Sequence, residues 1–120
     1  MTILVVDDDY LSRELLQAHM ENAHYTVLLA NSGTKALEMA AAQQPDIILM
    51  DVNMPGLSGY TVCNQLKKSP ATGHIPVLLM TAMDDEENIA QAVEAGADGF
   101  VSKPFDIKRM FAQINKLIGR

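Results

Sequence analysis

Three consecutive aspartates, Asp7, Asp8 and Asp9, directly follow an apolar run at residues 3–6. Two unit charges about 4 Å apart repel by about 1 kcal/mol in bulk water and by about 4 kcal/mol at an effective dielectric constant near 20. Buried neighbouring carboxylates without a partner take up a proton, whereas a bound cation would offset their repulsion. We expect Asp9 to have a simpler role, as the N-cap of a helix that begins at Tyr10.

Three other polar residues stand at or just after the ends of later apolar runs. They are Asp51, Thr81 and Lys103. Each also has an ordinary structural interpretation. Asp51 could be a turn residue, Thr81 could end a strand or cap a helix, and Lys103 could be a solvated loop lysine.

Considered together, these residues suit the transfer of a phosphoryl group. Carboxylate oxygens are the ligands that Mg²⁺ prefers, usually one or two of them with waters and a phosphate. An ammonium and a hydroxyl, as on Lys103 and Thr81, complement the oxygens of a phosphoryl group in transfer. An aspartate can also accept phosphate covalently.

Alternating elements are needed to bring these residues together. Apolar runs of strand length occupy residues 2–6, 25–30, 46–51, 75–81 and 99–102, and segments with helical spacing occupy residues 10–23, 33–44, 59–69, 85–96 and 106–119. Continuous apolar strands indicate a parallel sheet covered on both faces by the crossover helices. Ligands of such sheets bind at the carboxyl ends of the strands, where the polar residues stand.

The composition predicts one globular domain over residues 1–120, with 48% hydrophobic and 20% charged residues. A formal net charge of -6 disfavours direct binding to nucleic acid or anionic membranes.

The single cysteine, Cys63, excludes an internal disulfide, and we expect it to fill the core. The absence of a signal peptide or an apolar span of about 18 residues favours the cytoplasm. His19, His24 and His74 are too scattered for a metal site.

Four segments together resemble the receiver domain of two-component response regulators, similar to the chemotaxis regulators. They are VVDDD (5–9), DIILMDVNMPGLSGY (46–60), IPVLLMTA (75–82) and AGADGFVSKPF (95–105). The resemblance covers essentially the whole chain. It implies a doubly wound (βα)5 domain of the flavodoxin-like α/β class, with a five-stranded parallel sheet of order 2-1-3-4-5.

The resemblance also implies a phosphorylation-activated switch that is not itself an enzyme. Asp51 would accept a phosphoryl group from the phosphohistidine of a sensor kinase or phosphotransfer protein. Asp8, Asp51 and the main-chain carbonyl of Asn53 would bind Mg²⁺ directly, and Asp7 would act mainly through a bound water.

Further roles follow from the same resemblance. Lys103 would pair with the phosphoryl oxygens, and Pro104 would shape the chain beside it. Thr81 would move to bind the phosphoryl group, and Phe100 would change rotamer with it. The face formed by the fourth helix, fifth strand and fifth helix would then bind an effector or output domain. The resemblance also allows a phosphorylation-dependent dimer.

Three other functions compete with this interpretation. A phosphatase of the haloacid-dehalogenase type needs a second acid two residues after the nucleophile, where this chain has Asn53. A flavodoxin-like electron carrier would place its cofactor phosphate against the acids that follow the first strand, and their negative charge would repel it. A phosphorylation-independent interaction module stays open, although such modules usually lose the acceptor, an acid or the lysine.

Overall fold

Five strands alternate with five helices in the computed structural model, which describes residues 1–82, 86–103 and 106–119. The strands are β1 (Thr2–Val6), β2 (Thr26–Ala30), β3 (Ile47–Asp51), β4 (Val77–Thr81) and β5 (Gly99–Ser102), and the helices are α1 (Tyr10–Asn22), α2 (Gly33–Gln43), α3 (Gly59–Lys68), α4 (Glu86–Glu94) and α5 (Ile107–Leu117). All neighbouring strands are parallel, in the order β2-β1-β3-β4-β5. The predicted fold class and strand order are confirmed.

The predicted element ends agree with the structure to within two residues, apart from the predicted start of the fourth helix at residue 85, which lies outside the described residues. β4 begins at Val77 and not at residue 75. Pro76 has no N–H to donate, but its carbonyl accepts a bond from the Ile48 N–H at 2.9 Å. α5 begins at Ile107 because Asp106 is its N-cap, accepting hydrogen bonds from two main-chain N–H groups of the first turn.

Two apolar clusters cover the two faces of the sheet, as the continuous apolar strands predict. Alternate strand residues such as Leu4 and Ile48 pack with α2, α3 and α4 on one face. Their neighbours, such as Val5 and Leu49, pack with α1 and α5 on the other. The period of two along each strand divides the strand residues between the two clusters.

Cys63 lies in the cluster under α3, as predicted, and is fully buried. Burial raises the pKa of its thiol to about 11. The thiol donates a weak bond of 3.5 Å to the main-chain oxygen of Ala95. Cys63 is therefore an uncharged packing residue at neutral pH.

Polar residues before the helices act as caps. Asp9 accepts hydrogen bonds from the N–H of Ser12 at 3.2 Å and from its hydroxyl at 2.9 Å, which confirms its predicted capping role. These bonds lower the pKa of the Asp9 carboxyl.

Within the described ranges, none of the helices has the length and apolar character that a bilayer crossing requires.

The two-sided core predicts a large penalty for truncating a central strand. Leu49 is fully buried in β3, so Leu49→Ala should lower the free energy of unfolding by about 2–5 kcal/mol. Leu11 on α1 is 73% exposed, and Leu11→Ala should change it by about 0.5 kcal/mol or less. Urea unfolding followed by circular dichroism measures both values. Equal losses in the two variants would contradict this description of the core.

Candidate functional site

The carboxyl ends of β1 and β3 meet because the two strands are neighbours in the sheet. Asp7 and Asp8 follow β1, and Asp51 is the last residue of β3. One carboxylate oxygen from each of these three residues lies within 4.8 Å of the other two. Residues that are 43 or 44 positions apart in the chain thus form one acidic cluster at the edge where ligands of open α/β sheets bind.

Both carboxylate oxygens of Asp51 accept hydrogen bonds. It is only 4% exposed. Its Oδ1 accepts a hydrogen bond from the Asn53 N–H at 3.1 Å, and its Oδ2 accepts one from Lys103 Nζ at 3.2 Å. The carboxylate is therefore held by two donors while it lies in a cleft that contains two other acids.

Asp7 is fully buried. Its Oδ1 accepts a hydrogen bond from the Asp9 N–H at 2.9 Å. Its Oδ2 lies 3.6 Å from Lys103 Nζ, and no hydrogen-bond partner for this oxygen is found in the part of the chain that the structure describes. Burial raises the pKa of Asp7, and the charge of Asp51 adds to this, against the opposing effects of the Asp9 N–H and Lys103. Asp8, in contrast, is exposed at the rim.

Lys103 connects the acidic cluster to the edge strand. Its ammonium lies within 4 Å of both Asp7 and Asp51, with its side chain 24% exposed. Its main-chain N–H donates to the Thr81 carbonyl at 2.7 Å. Thr81, at the end of β4, is 5% exposed. The predicted lysine and threonine therefore lie on adjacent strand ends beside the predicted acceptor.

Phe100 lies away from the acids, in the middle of β5. Its ring is half-buried against the same apolar cluster that contains Leu4, Ile48 and Cys63. Its main-chain oxygen accepts a hydrogen bond from Gln113 Nε2 of α5 at 2.8 Å. Pro104, which the resemblance assigns to the site, lies outside the described residues.

Two residues that hold the site were not identified from the sequence. A Cβ atom added to Gly59 would lie 2.4 Å from the Asp51 carbonyl oxygen, so only glycine lets α3 begin this close to β3. Arg13 Nη1 donates to the Asp7 carbonyl at 2.8 Å and so anchors the loop after β1. The sequence signal for Gly59 was its place in GLSGY, but no pattern pointed to Arg13.

Comparisons with known proteins agree with this geometry. The family description "Response regulator receiver domain" matches residues 3–115. Response regulator PleD of Caulobacter vibrioides is 48% identical over 96% of this chain and 25% of its own length. Response regulator MprA of Mycobacterium leprae is 42% identical over the whole chain and 52% of its own length. The chain therefore spans a quarter to a half of these curated relatives.

A solved structure gives the same result for the fold. The receiver domain of the sensor histidine kinase PA1611 of Pseudomonas aeruginosa, which has a magnesium ion coordinated in its active-site cleft, superimposes with a TM-score of 0.91. The two are 26% identical, and the match covers 99% of this chain and 98% of that one. From its sequence, its fold and the family match, this chain belongs to the receiver domains of two-component response regulators.

Proposed function

We propose that Asp51 is the phosphoacceptor of a receiver domain formed by residues 1–120. The observation that carries this is the position of its carboxylate, held by the Asn53 N–H and Lys103 Nζ beside the carboxylates of Asp7 and Asp8. Two donors orient the group before any substrate arrives, which lowers the entropic cost of reaction.

The reaction is an in-line displacement on the phosphohistidine of a sensor kinase or phosphotransfer protein. An Asp51 carboxylate oxygen attacks phosphorus, the P–N bond breaks, and the imidazole leaves with the electron pair and takes a proton. The ammonium of Lys103, 3.2 Å from Asp51 Oδ2, stabilises negative charge on the transferring group. Asp51 ends as an acyl phosphate, so the domain is a stoichiometric acceptor and not an enzyme.

The acidic cluster fits Mg²⁺. Three carboxylates meet here, and Lys103 Nζ lies within 4 Å of two of them, Asp7 and Asp51. The buried Asp7 Oδ2 lacks a hydrogen-bond partner among the described atoms. Asp8, Asp51 and the Asn53 carbonyl would bind the ion directly, with Asp7 acting through water. When bound, the ion would supply positive charge to the phosphoryl oxygens.

Thr81 and Phe100 carry the signal onward in this proposal. The Thr81 side chain moves to hydrogen-bond the phosphoryl group, and Phe100 changes rotamer in response. The support for this is a groove of about 420 Å³ between α4 and α5 that Phe100 lines together with Arg109 and Gln113. An effector, an output domain or a second copy that prefers one state of this face would read the switch.

Phosphorylation by acetyl phosphate tests the acceptor. With Mg²⁺, the intact mass of the wild type should increase by one phosphoryl group, and Asp51→Asn should show no increase. Asp46→Asn is the matched control, because Asp46 is exposed and precedes the opposite end of β3. A persistent increase in Asp51→Asn would assign the phosphoryl group to another residue.

Titration with Mg²⁺ tests the ligand set. Asp8→Asn should weaken binding about tenfold or more, since even outer-shell changes have effects of that order, and Asp46→Asn should bind as the wild type does. Isothermal titration calorimetry measures both affinities. An unchanged affinity in Asp8→Asn would remove Asp8 from the ligand set.

The buried Asp7 predicts a dependence of stability on pH in the absence of Mg²⁺. Its raised pKa means that ionisation of the Asp7 carboxyl destabilises the fold. The stability is therefore highest below the unfolded-state pKa of about 3.9, where Asp7 is protonated in both states, and it falls as the pH rises through the higher pKa of the folded state. Asp7→Asn should therefore raise the free energy of unfolding at pH 7, with a smaller gain towards pH 3. Urea unfolding with a chelator at both pH values measures it, and a gain that grows on acidification would contradict the argument.

A further inference from the structure

Tyr60 joins the start of α3 to the first turn of α4. Its hydroxyl lies 3.0 Å from Asn88 Oδ1 and 3.3 Å from the Asn88 main-chain oxygen, and it donates to these acceptors. The ring is half-buried, so the bond is partly protected from competition by water. A hydroxyl in such a place contributes more than one on an open surface.

The same end of α3 is in contact with the proposed phosphoacceptor. Gly59, which directly precedes Tyr60, approaches the Asp51 carbonyl too closely for any Cβ atom. The Gly59 N–H also donates to the Val52 carbonyl at 2.9 Å. A shift of the main chain at Asp51 would therefore press on Gly59 and on Tyr60, which follows it.

α4 is held more firmly at its carboxyl end than at its amino end. Ala92 and Ala95 are buried in the core, and Cys63 donates to the Ala95 carbonyl. Residues 87–90 are exposed or half-buried. A groove of about 810 Å³, lined partly by Ser58, Tyr60 and Gln91, lies between α3 and α4. The Tyr60 hydroxyl thus reaches α4 in its less buried half.

We propose that the hydrogen bond from Tyr60 to Asn88 is a latch that holds the amino half of α4 in the position it has before phosphorylation. This inference rests on the proposed role of Asp51. It adds a connection from the acceptor to α4 through α3 that does not involve Thr81 or Phe100. A bond that exists only in the unmodified state biases the equilibrium towards that state.

Linkage makes the latch measurable in two ways. Losing it should open the amino half of α4 more often in the unmodified protein. In the proposed equilibrium the switched conformation is the one that accepts the phosphoryl group, so a mutation that disfavours the latched conformation raises the population of the switched one and should speed phosphorylation. The first effect needs no phosphorylation chemistry, and the second depends on it.

Tyr60→Phe removes only the hydroxyl. Amide hydrogen exchange at residues 90–94 should become about three- to tenfold faster, and phosphorylation by acetyl phosphate with Mg²⁺ about threefold faster. Tyr25→Phe is the matched control, because the Tyr25 hydroxyl makes the same kind of bond, 3.3 Å to Asn115 Oδ1 of α5, on the opposite face of the sheet. It should leave both measurements at their wild-type values.

The outcomes separate the latch from the proposed function. Unchanged exchange at residues 90–94 in Tyr60→Phe would overturn the latch. Faster exchange with an unchanged phosphorylation rate would overturn its coupling to Asp51. A wild type that takes up no phosphoryl group would refute the proposed function itself and, with it, the role of the bond in switching.

Discussion

The contact of one ammonium with two buried carboxylates is the constraint on which the site depends. Lys103 lies 3.6 Å from Asp7 and 3.2 Å from Asp51, and both acids are almost wholly buried. Removing the lysine would leave two buried carboxylates without a counter-charge, and the loss of one partner from a buried ion pair is strongly destabilising. The lysine directly follows the edge strand β5, so its side chain ties that strand to the centre of the sheet in addition to the ladder between β4 and β5.

The strand order turns distant sequence positions into this arrangement. β3 is central, with β1 on one side and β4 on the other, so the acids that follow β1 meet Asp51 directly. Each strand also contributes to both apolar clusters, which keeps the strand ends in register. The buried acids thus lie at the ends of well-packed strands. They stabilise the fold less than apolar residues at the same positions would, which is common at functional sites.

Most of the fold and the members of the acidic cluster could be predicted from the sequence, because both follow from local patterns. Apolar runs define the strands, and polar residues at their ends define the cluster. Arg13 and Tyr60 could not be found this way. Their partners, the Asp7 carbonyl and Asn88, are set by where a side chain points in three dimensions, and neither contact leaves a periodic signal. Gly59 has a motif, but its reason is a close approach of two backbones.

The bond from Gln113 to the Phe100 carbonyl has a consequence for solubility. β5 is an edge strand of four residues, and unpaired main-chain groups on such an edge can recruit a strand from another molecule. Gln113 Nε2 takes up the outward-facing carbonyl of Phe100, and its side chain lies over Gly99, the residue before it. The helix that packs beside this edge therefore also protects it against edge-to-edge aggregation.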